Sequence, residues 1–278
     1  MCDDGKFIRK SGKRTYAKNL TSEVGYDIIF DMSNYVHRTS CSLLYTDFDF
    51  RDRITPTALL SVAQEGAAGS ADELGFGYDA LKARGMGFFV VNNACKVLRP
   101  VRLGEKVVEE TWPLPPRHVF FERHYRVLNE KGEPLALLAS RWCLVELETQ
   151  KLLLPEAMGE VHAKCPYNPE KSMEVNWRIP RISEHAKEVY ARRVLVSDCD
   201  HYLHVNNARY GALFFDCFSM EELNGAKNSR FEISYDKQVP WGAEIRLFRE
   251  DYEGESILEL RSNGAVCARC RVRLTTEE

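Results

Sequence analysis

The spacing of apolar residues along the chain predicts one helix followed by a long run of strands. Thr55-Pro56 is a helix start, with threonine as the cap and proline in the first turn. Apolar and small residues then recur on one helical face: Leu59, Val62, Ala63, Gly66, Ala67 and Ser70. From residue 88 the period changes to two, which predicts strands at 88–91, 94–98, 106–112, 119–128, 135–147 and 151–154. Residues 42–50 are predicted as a further strand before the helix.

The same order of elements returns in the second part of the chain. A strand is predicted at 189–196, and a helix from residue 207 to about 223 with a buried face of Tyr210, Leu213, Phe214, Cys217 and Phe218. Strands follow at 231–235, 244–249, 256–261 and 265–274. Asn263-Gly264 joins the last two and is typical of a type I′ hairpin turn. A helix followed by an antiparallel meander in each half indicates the α+β class.

The two halves also align residue by residue. Asp47 and Asp49 match Asp198 and Asp200 at an offset of 151 residues, and residues 102–107 later match residues 240–245. This repetition predicts a tandem duplication. Residues 155–180 carry four prolines and little periodicity, so we expect domains at 1–160 and 181–278 with a linker at 161–180. The first copy has Arg53 where the second has His204, which predicts that the second copy supplies the charged groups of one active site.

Composition narrows the class of protein. A net charge of -3 gives no general attraction to nucleic acid, and no apolar run approaches the ~20 residues of a membrane span. The first twenty residues are basic without an apolar core, so no secretory signal is expected. Nine scattered cysteines are typical of reduced thiols in a cytoplasmic protein. Cys267 and Cys270 form a CxxC in a strand pattern that points them to opposite faces, so we expect two ordinary thiols.

The densest group of chemically active residues is the segment from Asp198 to His204. It holds two carboxylates and two imidazoles directly before the second predicted helix. Free N–H groups at a helix start can stabilise a developing negative charge. Asp200 and His204 are therefore candidate catalytic residues, whereas a structural role is favoured for Asp198. Asn206 and Asn207 fit a helix cap and a site wall equally well.

These residues resemble the motif of acyl-acyl-carrier-protein thioesterases, which contain two tandem hotdog domains. The matching pattern is Asp198-x-Asp200, then His204-Val-Asn-Asn207-x-x-Tyr210. Four stretches of the first half also resemble the family, at 99–112, 120–126, 132–136 and 139–142, so the resemblance covers roughly residues 40 to 275. It implies two tandem hotdog domains, each an antiparallel sheet wrapped around one central helix.

The resemblance also implies an activity: hydrolysis of fatty acyl thioesters of acyl carrier protein to free fatty acid and the holo carrier. The substrate would be an acyl-phosphopantetheine on the carrier, and neither a metal nor an organic cofactor is expected. The family's catalytic Asp and His fall on Asp200 and His204. Its Asn falls on Tyr202 and its Glu on Gln238, two departures, with Asp236 as a substitute for the Glu.

Chemistry assigns roles to these positions. Asp200 would activate water or attack the thioester, and His204 would orient the water or protonate the leaving thiolate. The backbone N–H groups of Val205, Asn206 and Asn207 would bind the oxyanion.

The first predicted helix offers space for an acyl chain. Its small residues Ala63, Ala67 and Ser70 contrast with the bulky Phe214 and Phe218 of the second helix, which predicts an acyl pocket in the first half. Close packing of helix and sheet is the alternative. Arg269, Arg271 and Arg273 share one strand face, which is either a docking surface for an acidic carrier or a solvated face.

Two other functions stay open at this stage. One is an acyl-CoA thioesterase on the same scaffold. The other is a catalytically silent acyl-binding protein, because Tyr202 and Gln238 depart from the family motif. The sequence leaves the chain length of the acyl group and the formation of a homodimer undecided.

Overall fold

The computed structural model describes residues 35–276. The first half consists of β1 (His37–Cys41), α1 (Pro56–Glu73), α2 (Tyr78–Lys82), β2 (Met86–Val97), β3 (Val107–Pro113), β4 (Phe120–Asn129), β5 (Pro134–Glu146) and β6 (Leu152–Leu153). After α3 (Glu160–Ala163), the second half consists of β7 (Lys187–Arg193), α4 (Tyr210–Phe215), α5 (Met220–Gly225), β8 (Ala226–Tyr235), β9 (Glu244–Tyr252), β10 (Glu255–Ser262) and β11 (Ala265–Thr276). Short 3-10 helices lie at Tyr45–Asp47, Pro155–Met158, Val196–Asp198 and Asn207–Arg209.

Within these residues the strands form one antiparallel sheet with a palindromic order. The order is β1-β3-β4-β5-β2-β8-β11-β10-β9-β7, and β6 pairs with β5. The two halves meet where β2 pairs with β8, from Asn92 opposite Ser234 to Lys96 opposite Arg230. Each half is a five-stranded antiparallel arrangement over its own helix, which confirms the predicted α+β fold of two tandem hotdog domains.

Isolated backbone bridges reproduce the predicted repeat. Phe48 pairs with Ile54 in the first half and Cys199 with Val205 in the second, again 151 positions apart. Arg53 pairs with Arg102, and His204 pairs with Pro240. The same loop geometry therefore recurs in both copies, with different side chains.

The first helix forms as its sequence predicts, but the second does not. Thr55 Oγ1 accepts a hydrogen bond from Ala58 N at 3.1 Å, and α1 ends before Gly75. The single helix expected at 207–223 is instead a 3-10 turn followed by α4 and α5. A capping box at Ser219 restarts the chain as α5: Ser219 Oγ accepts from Glu222 N, and the Glu222 carboxylate accepts from Ser219 N.

Two strand predictions were wrong for one shared reason. Residues 42–50 are not a strand, because β1 lies earlier and the Asp47 carboxylate accepts from Leu44 N at 2.7 Å, closing a 3-10 turn. Asp198 closes the equivalent turn on Leu195 N, so β7 ends at Arg193 rather than at residue 196. The hairpin prediction is confirmed, since Asn263 and Gly264 both have positive φ, at 49° and 74°.

Gly211 of α4 sets the distance between the two central helices. A Cβ at this position would lie 2.9 Å from the backbone nitrogen of Thr57 and 3.0 Å from the carbonyl carbon of Pro56. Glycine therefore lets the segment after the candidate motif approach the first turn of α1. This contact brings the second-half motif next to the first-half helix.

The segment between the halves packs on the sheet face opposite the helices. Ser172 N donates to His124 Nδ1 at 3.0 Å, and Arg271 donates to the Arg178 carbonyl at 2.9 Å. Arg271 is 5% exposed, Arg269 pairs with Asp236 and Glu259, and Arg273 pairs with Glu232 and Glu255. The arginine row is therefore neither a solvated face nor a free docking surface, because ion pairs and the linker engage it.

The cysteine prediction is right in outcome and wrong in its argument. Cys267 and Cys270 are free thiols, but both pack into the main core. A register shift opposite Leu260 and Arg261 leaves Cys267 unpaired in β11 and turns it to the same face as Cys270. The described residues contain no cluster of three or more His, Cys, Asp or Glu side chains suited to a metal ion. None of the helices in residues 35–276 has the length and apolar character to cross a membrane.

Candidate active site

A tight loop from Asp200 to His204 presents the candidate catalytic side chains. Asp200 N donates to the His204 carbonyl at 3.0 Å, and Leu203 adopts the left-handed conformation, with φ of 63°. Val205 N donates to the Val239 carbonyl, and Trp241 N donates to the Leu203 carbonyl. The C-terminal side of the loop is therefore fixed against the connection that follows β8.

One cavity of about 550 Å³ extends from this loop beneath α1. Its walls in the first half are mostly apolar and include Ala67, Ala68, Ala71, Phe76, Phe88 and Phe121. Its other end is lined by Asp200, Tyr202, His204 and Gln238. Polar groups of the second half thus face an apolar chamber of the first half, a combination typical of small-molecule sites.

The cavity brings together most of the residues singled out in the sequence. Besides the four catalytic candidates, Val205, Asn206, Asn207 and Ala67 line it. Two expected pocket residues lie elsewhere. Ala63 packs in the main core, and Ser70 is fully buried, with its hydroxyl accepting from Arg123 Nη1 at 2.9 Å. The open wall of α1 is shifted toward Ala68 and Ala71 instead.

Asp200 and His204 keep hydrogen-bonding capacity free. One oxygen of the half-buried Asp200 carboxylate accepts from Tyr202 N at 2.9 Å. His204 Nδ1 is buried and has no hydrogen-bond partner among residues 35–276. Buried polar atoms normally have a partner, and this nitrogen is an exception. His204 lines the cavity, but Nδ1 itself is covered by protein atoms.

The oxyanion prediction has to be narrowed to one backbone group. Val205 N donates to Val239, and Asn206 N donates to the Asp198 carbonyl at 2.9 Å. These two N–H groups are engaged and cannot bind an oxyanion. Asn207 N is the one of the three that has no hydrogen bond within the described chain. The Asn207 carbonyl accepts from the Tyr235 hydroxyl at 3.0 Å, which holds this peptide in place.

Two other motif residues have structural roles. Asp198 accepts two hydrogen bonds from Arg192, at 2.7 and 2.9 Å, and the Arg192 guanidinium holds the pKa of that carboxyl below its usual value. Asn206 caps the 3-10 turn, with its side-chain oxygen accepting from Ala208 N at 2.9 Å. The side chain of Asn207 accepts from the same N–H at 3.1 Å.

Tyr202 belongs to an aromatic cluster at the edge of the cavity. Its ring lies 4.0 Å from His201, 6.3 Å from Tyr78 and 6.4 Å from Phe89, measured between centroids. Burial raises the pKa of Tyr202 to about 12, so the hydroxyl stays protonated and can donate a hydrogen bond.

Several lining residues escaped the sequence analysis, among them the polar residues Gln64 and Arg123. Gln64 of α1 lines the cavity, and its Oε1 is buried without a partner among the described residues. Arg123 of β4 also lines the cavity. Each is a polar side chain on a face of a helix or strand that otherwise packs inward. In the sequence this pattern does not point to a site, because the cavity is needed to recognise it.

Comparison with known families decides the class of this protein. Residues 34–158 match the model of the acyl-ACP thioesterase N-terminal domain, and residues 182–274 match that of the acyl-ACP thioesterase C-terminal domain. The chain belongs to the acyl-ACP thioesterase family. It is therefore a thioester hydrolase, and the two matched regions correspond to the two halves of the sheet.

Solved structures agree with the fold of this thioesterase. An acyl-ACP thioesterase from Bacteroides thetaiotaomicron superposes with a TM-score of 0.78 at 24% identity, covering 86% of this chain and 97% of that one. The 12:0-ACP thioesterase from Umbellularia californica superposes with a TM-score of 0.76 at 19% identity, covering 87% and 98%. At these identities the likeness concerns the fold alone. A search of curated proteins found no match.

Proposed function

We propose that this thioesterase hydrolyses fatty acyl thioesters of acyl carrier protein, releasing the free fatty acid and the holo carrier. The observation that carries the proposal is the single cavity that joins the apolar wall at Ala67 to Asp200 and His204. The acyl chain lies beneath α1, and the thioester lies beside the motif loop. The phosphopantetheine arm leaves the cavity toward the carrier.

In this proposal Asp200 acts as the general base. Its carboxylate takes a proton from a water molecule, whose oxygen bonds to the thioester carbon. The carbon–sulfur bond then breaks, and a proton delivered through His204 reaches the departing sulfur.

The negative charge on the thioester oxygen is stabilised by the Asn207 N–H in this mechanism. The loss of one such donor typically lowers the rate by ~10²–10³. The Tyr202 hydroxyl supplies a further hydrogen bond at the same end of the cavity. Gln238 can orient water but cannot accept its proton. The base role therefore rests on Asp200.

The test measures free fatty acid released from thioesters of several chain lengths, carried either by acyl carrier protein or by CoA. The proposal predicts hydrolysis with a larger kcat/KM for the carrier thioesters. A larger kcat/KM for CoA thioesters would make the protein an acyl-CoA thioesterase. Bound but uncleaved thioester would instead support a silent binding protein, which the departures at Tyr202 and Gln238 motivate.

A further inference from the structure

Arg123 lies at the end of the cavity that is remote from the motif loop. The sheet register gives its distance from the second half. Arg123 of β4 is opposite Ser140 of β5, and Ser140 is opposite Asn93 of β2. Asn93 is opposite Ile233 of β8. Three strand spacings of ~4.8 Å therefore separate Arg123 from β8, or roughly 14 Å. The chain end of a bound acyl group, not its thioester, would reach this residue.

The guanidinium of Arg123 is buried, and only part of it is bonded. The residue is 6% exposed, and Nη1 donates to Ser70 Oγ at 2.9 Å and to Thr111 Oγ1 at 3.2 Å. Both acceptors are neutral hydroxyls. Among residues 35–276 the other guanidinium nitrogens have no partner, and they are not among the fully covered unpaired atoms. Arg123 forms part of the cavity wall, and these nitrogens keep free donors.

No carboxylate of the described chain forms an ion pair with Arg123. Glu122 pairs with His124 at 3.2 Å and with Arg141 at 3.4 Å. Glu109 is buried, and burial raises its pKa to about 8, so at neutral pH it is mostly protonated. A buried cation without a counter-charge is strongly unfavourable, which indicates that a ligand supplies one.

We propose that the cavity ends in a carboxylate subsite formed by Arg123, and that the preferred substrates are acyl chains that end in a carboxylate. Such substrates are half-thioesters of dicarboxylic acids. A guanidinium group binds a carboxylate through two parallel N–H···O hydrogen bonds. In Arg123 the nitrogens other than Nη1 keep the donors that such a pair of bonds needs. This inference rests on the proposed thioesterase function and names its substrate class.

The experiment compares thioesters of equal chain length on acyl carrier protein, one ending in a methyl group and the other in a carboxylate. At the best length, kcat/KM for the carboxylate-ended chain should be at least about 10-fold larger, the effect of a charge-assisted hydrogen bond. Arg123→Met should reverse this preference. Arg126→Met is the matched control, because Arg126 lies on the same strand but on the opposite face, over Trp112.

Binding provides a readout that does not depend on hydrolysis. Calorimetry with free dicarboxylic and monocarboxylic acids of equal length should show tighter binding of the dicarboxylic acid by wild type and not by Arg123→Met. A preference for the diacid without any thioester cleavage would refute the proposed function and leave this subsite standing. A wild-type preference for methyl-ended chains, or a carboxylate preference that survives in Arg123→Met, would overturn the subsite. If Arg123→Met does not fold, the comparison of carboxylate-ended and methyl-ended thioesters with the wild-type enzyme still tests the subsite.

Discussion

Ala67 of the first half and His204 of the second half line the same cavity. At the offset of 151 residues, the counterpart of Ala67 is Phe218, which is buried in the core of the second half. One copy therefore has a methyl group and open volume where the other has an aromatic ring. The duplicated segments have therefore diverged into a chamber wall in the first half and a filled core in the second, whereas the loop at His204 keeps its polar side chains.

Ala67→Phe should shorten the acyl chain that the thioesterase prefers. The ring would occupy cavity volume beneath α1 in the way that Phe218 occupies the second half. Long chains should lose kcat/KM by roughly 10-fold or more, because the added ring overlaps with their methylene groups. Product analysis with mixed chain lengths would measure the shift.

The reverse substitution is the control for this prediction. Phe218→Ala removes a buried ring from the second half, so it should lower the free energy of unfolding by about 3–5 kcal/mol. It should leave the product profile unchanged, because Phe218 does not line the cavity. An unaltered profile in Ala67→Phe would show that the acyl chain lies elsewhere.

Gln238→Glu should raise the rate of hydrolysis at neutral pH. Gln238 lines the motif end of the cavity, and a carboxylate there could accept the proton that the amide cannot. General-base catalysis typically raises the rate of a reaction by a factor of ~10²–10⁴, so we expect kcat/KM to increase by at least about 10-fold. The pH profile of kcat/KM would measure it.

Gln150→Glu provides the matched control, since Gln150 lies in the turn before β6 and does not line the cavity. Its rate should equal that of wild type. If Gln238→Glu were no faster than Gln150→Glu, the assignment of Gln238 to the family's Glu position would have to be withdrawn.

Local signals in the sequence were enough to predict the parts of the fold that depend on nearby residues. Thr55-Pro56 starts α1 through one cap and a fixed φ, and Asn263-Gly264 forms its turn because both residues tolerate positive φ. The repeat located both halves, and the motif located the end of the cavity at Asp200 and His204.

Features that depend on tertiary partners could not be predicted in this way. The 3-10 turns closed by the carboxylates of Asp47 and Asp198 are a different case, because each bond is to a backbone N–H three residues earlier and the turns resemble strands in the sequence. The Val205 N–H is engaged by the distant backbone carbonyl of Val239. Arg123 lies in an alternating strand, and its place in a cavity wall follows only from the packing of α1 on the sheet.

Glu109 should make the stability of the protein depend on pH. Its folded pKa of about 8 exceeds the ordinary value of 4.5, so between these pH values the folded chain holds a proton that the unfolded chain has released. Raising the pH through this window therefore favours unfolding. The free energy of unfolding of wild type, relative to Glu109→Gln, should fall by up to roughly 4 kcal/mol between pH 4.5 and 8, at about 1.4 kcal/mol per pH unit. Denaturant titrations at several pH values measure this difference.

The neighbouring Glu110 provides the control on the same strand. Its carboxylate lies on the opposite face and pairs with Arg38 at 3.1 Å and with Arg126 at 3.3 Å. The fall in stability with rising pH should therefore persist in Glu110→Gln, which keeps Glu109. If the difference in free energy of unfolding between wild type and Glu109→Gln did not change with pH, Glu109 would be ionised in the folded protein.

The central claim is that thioester hydrolysis takes place at the motif loop of the second half. The most direct measurement is the rate of free fatty acid release by wild type, Asp200→Asn and Asp49→Asn. Asp49 is the counterpart of Asp200 in the first copy, where it pairs with Arg51. We expect Asp200→Asn to lose at least about 100-fold in kcat, the lower end for a lost general base, and Asp49→Asn to keep the wild-type rate. Equal rates in wild type and Asp200→Asn would contradict the account.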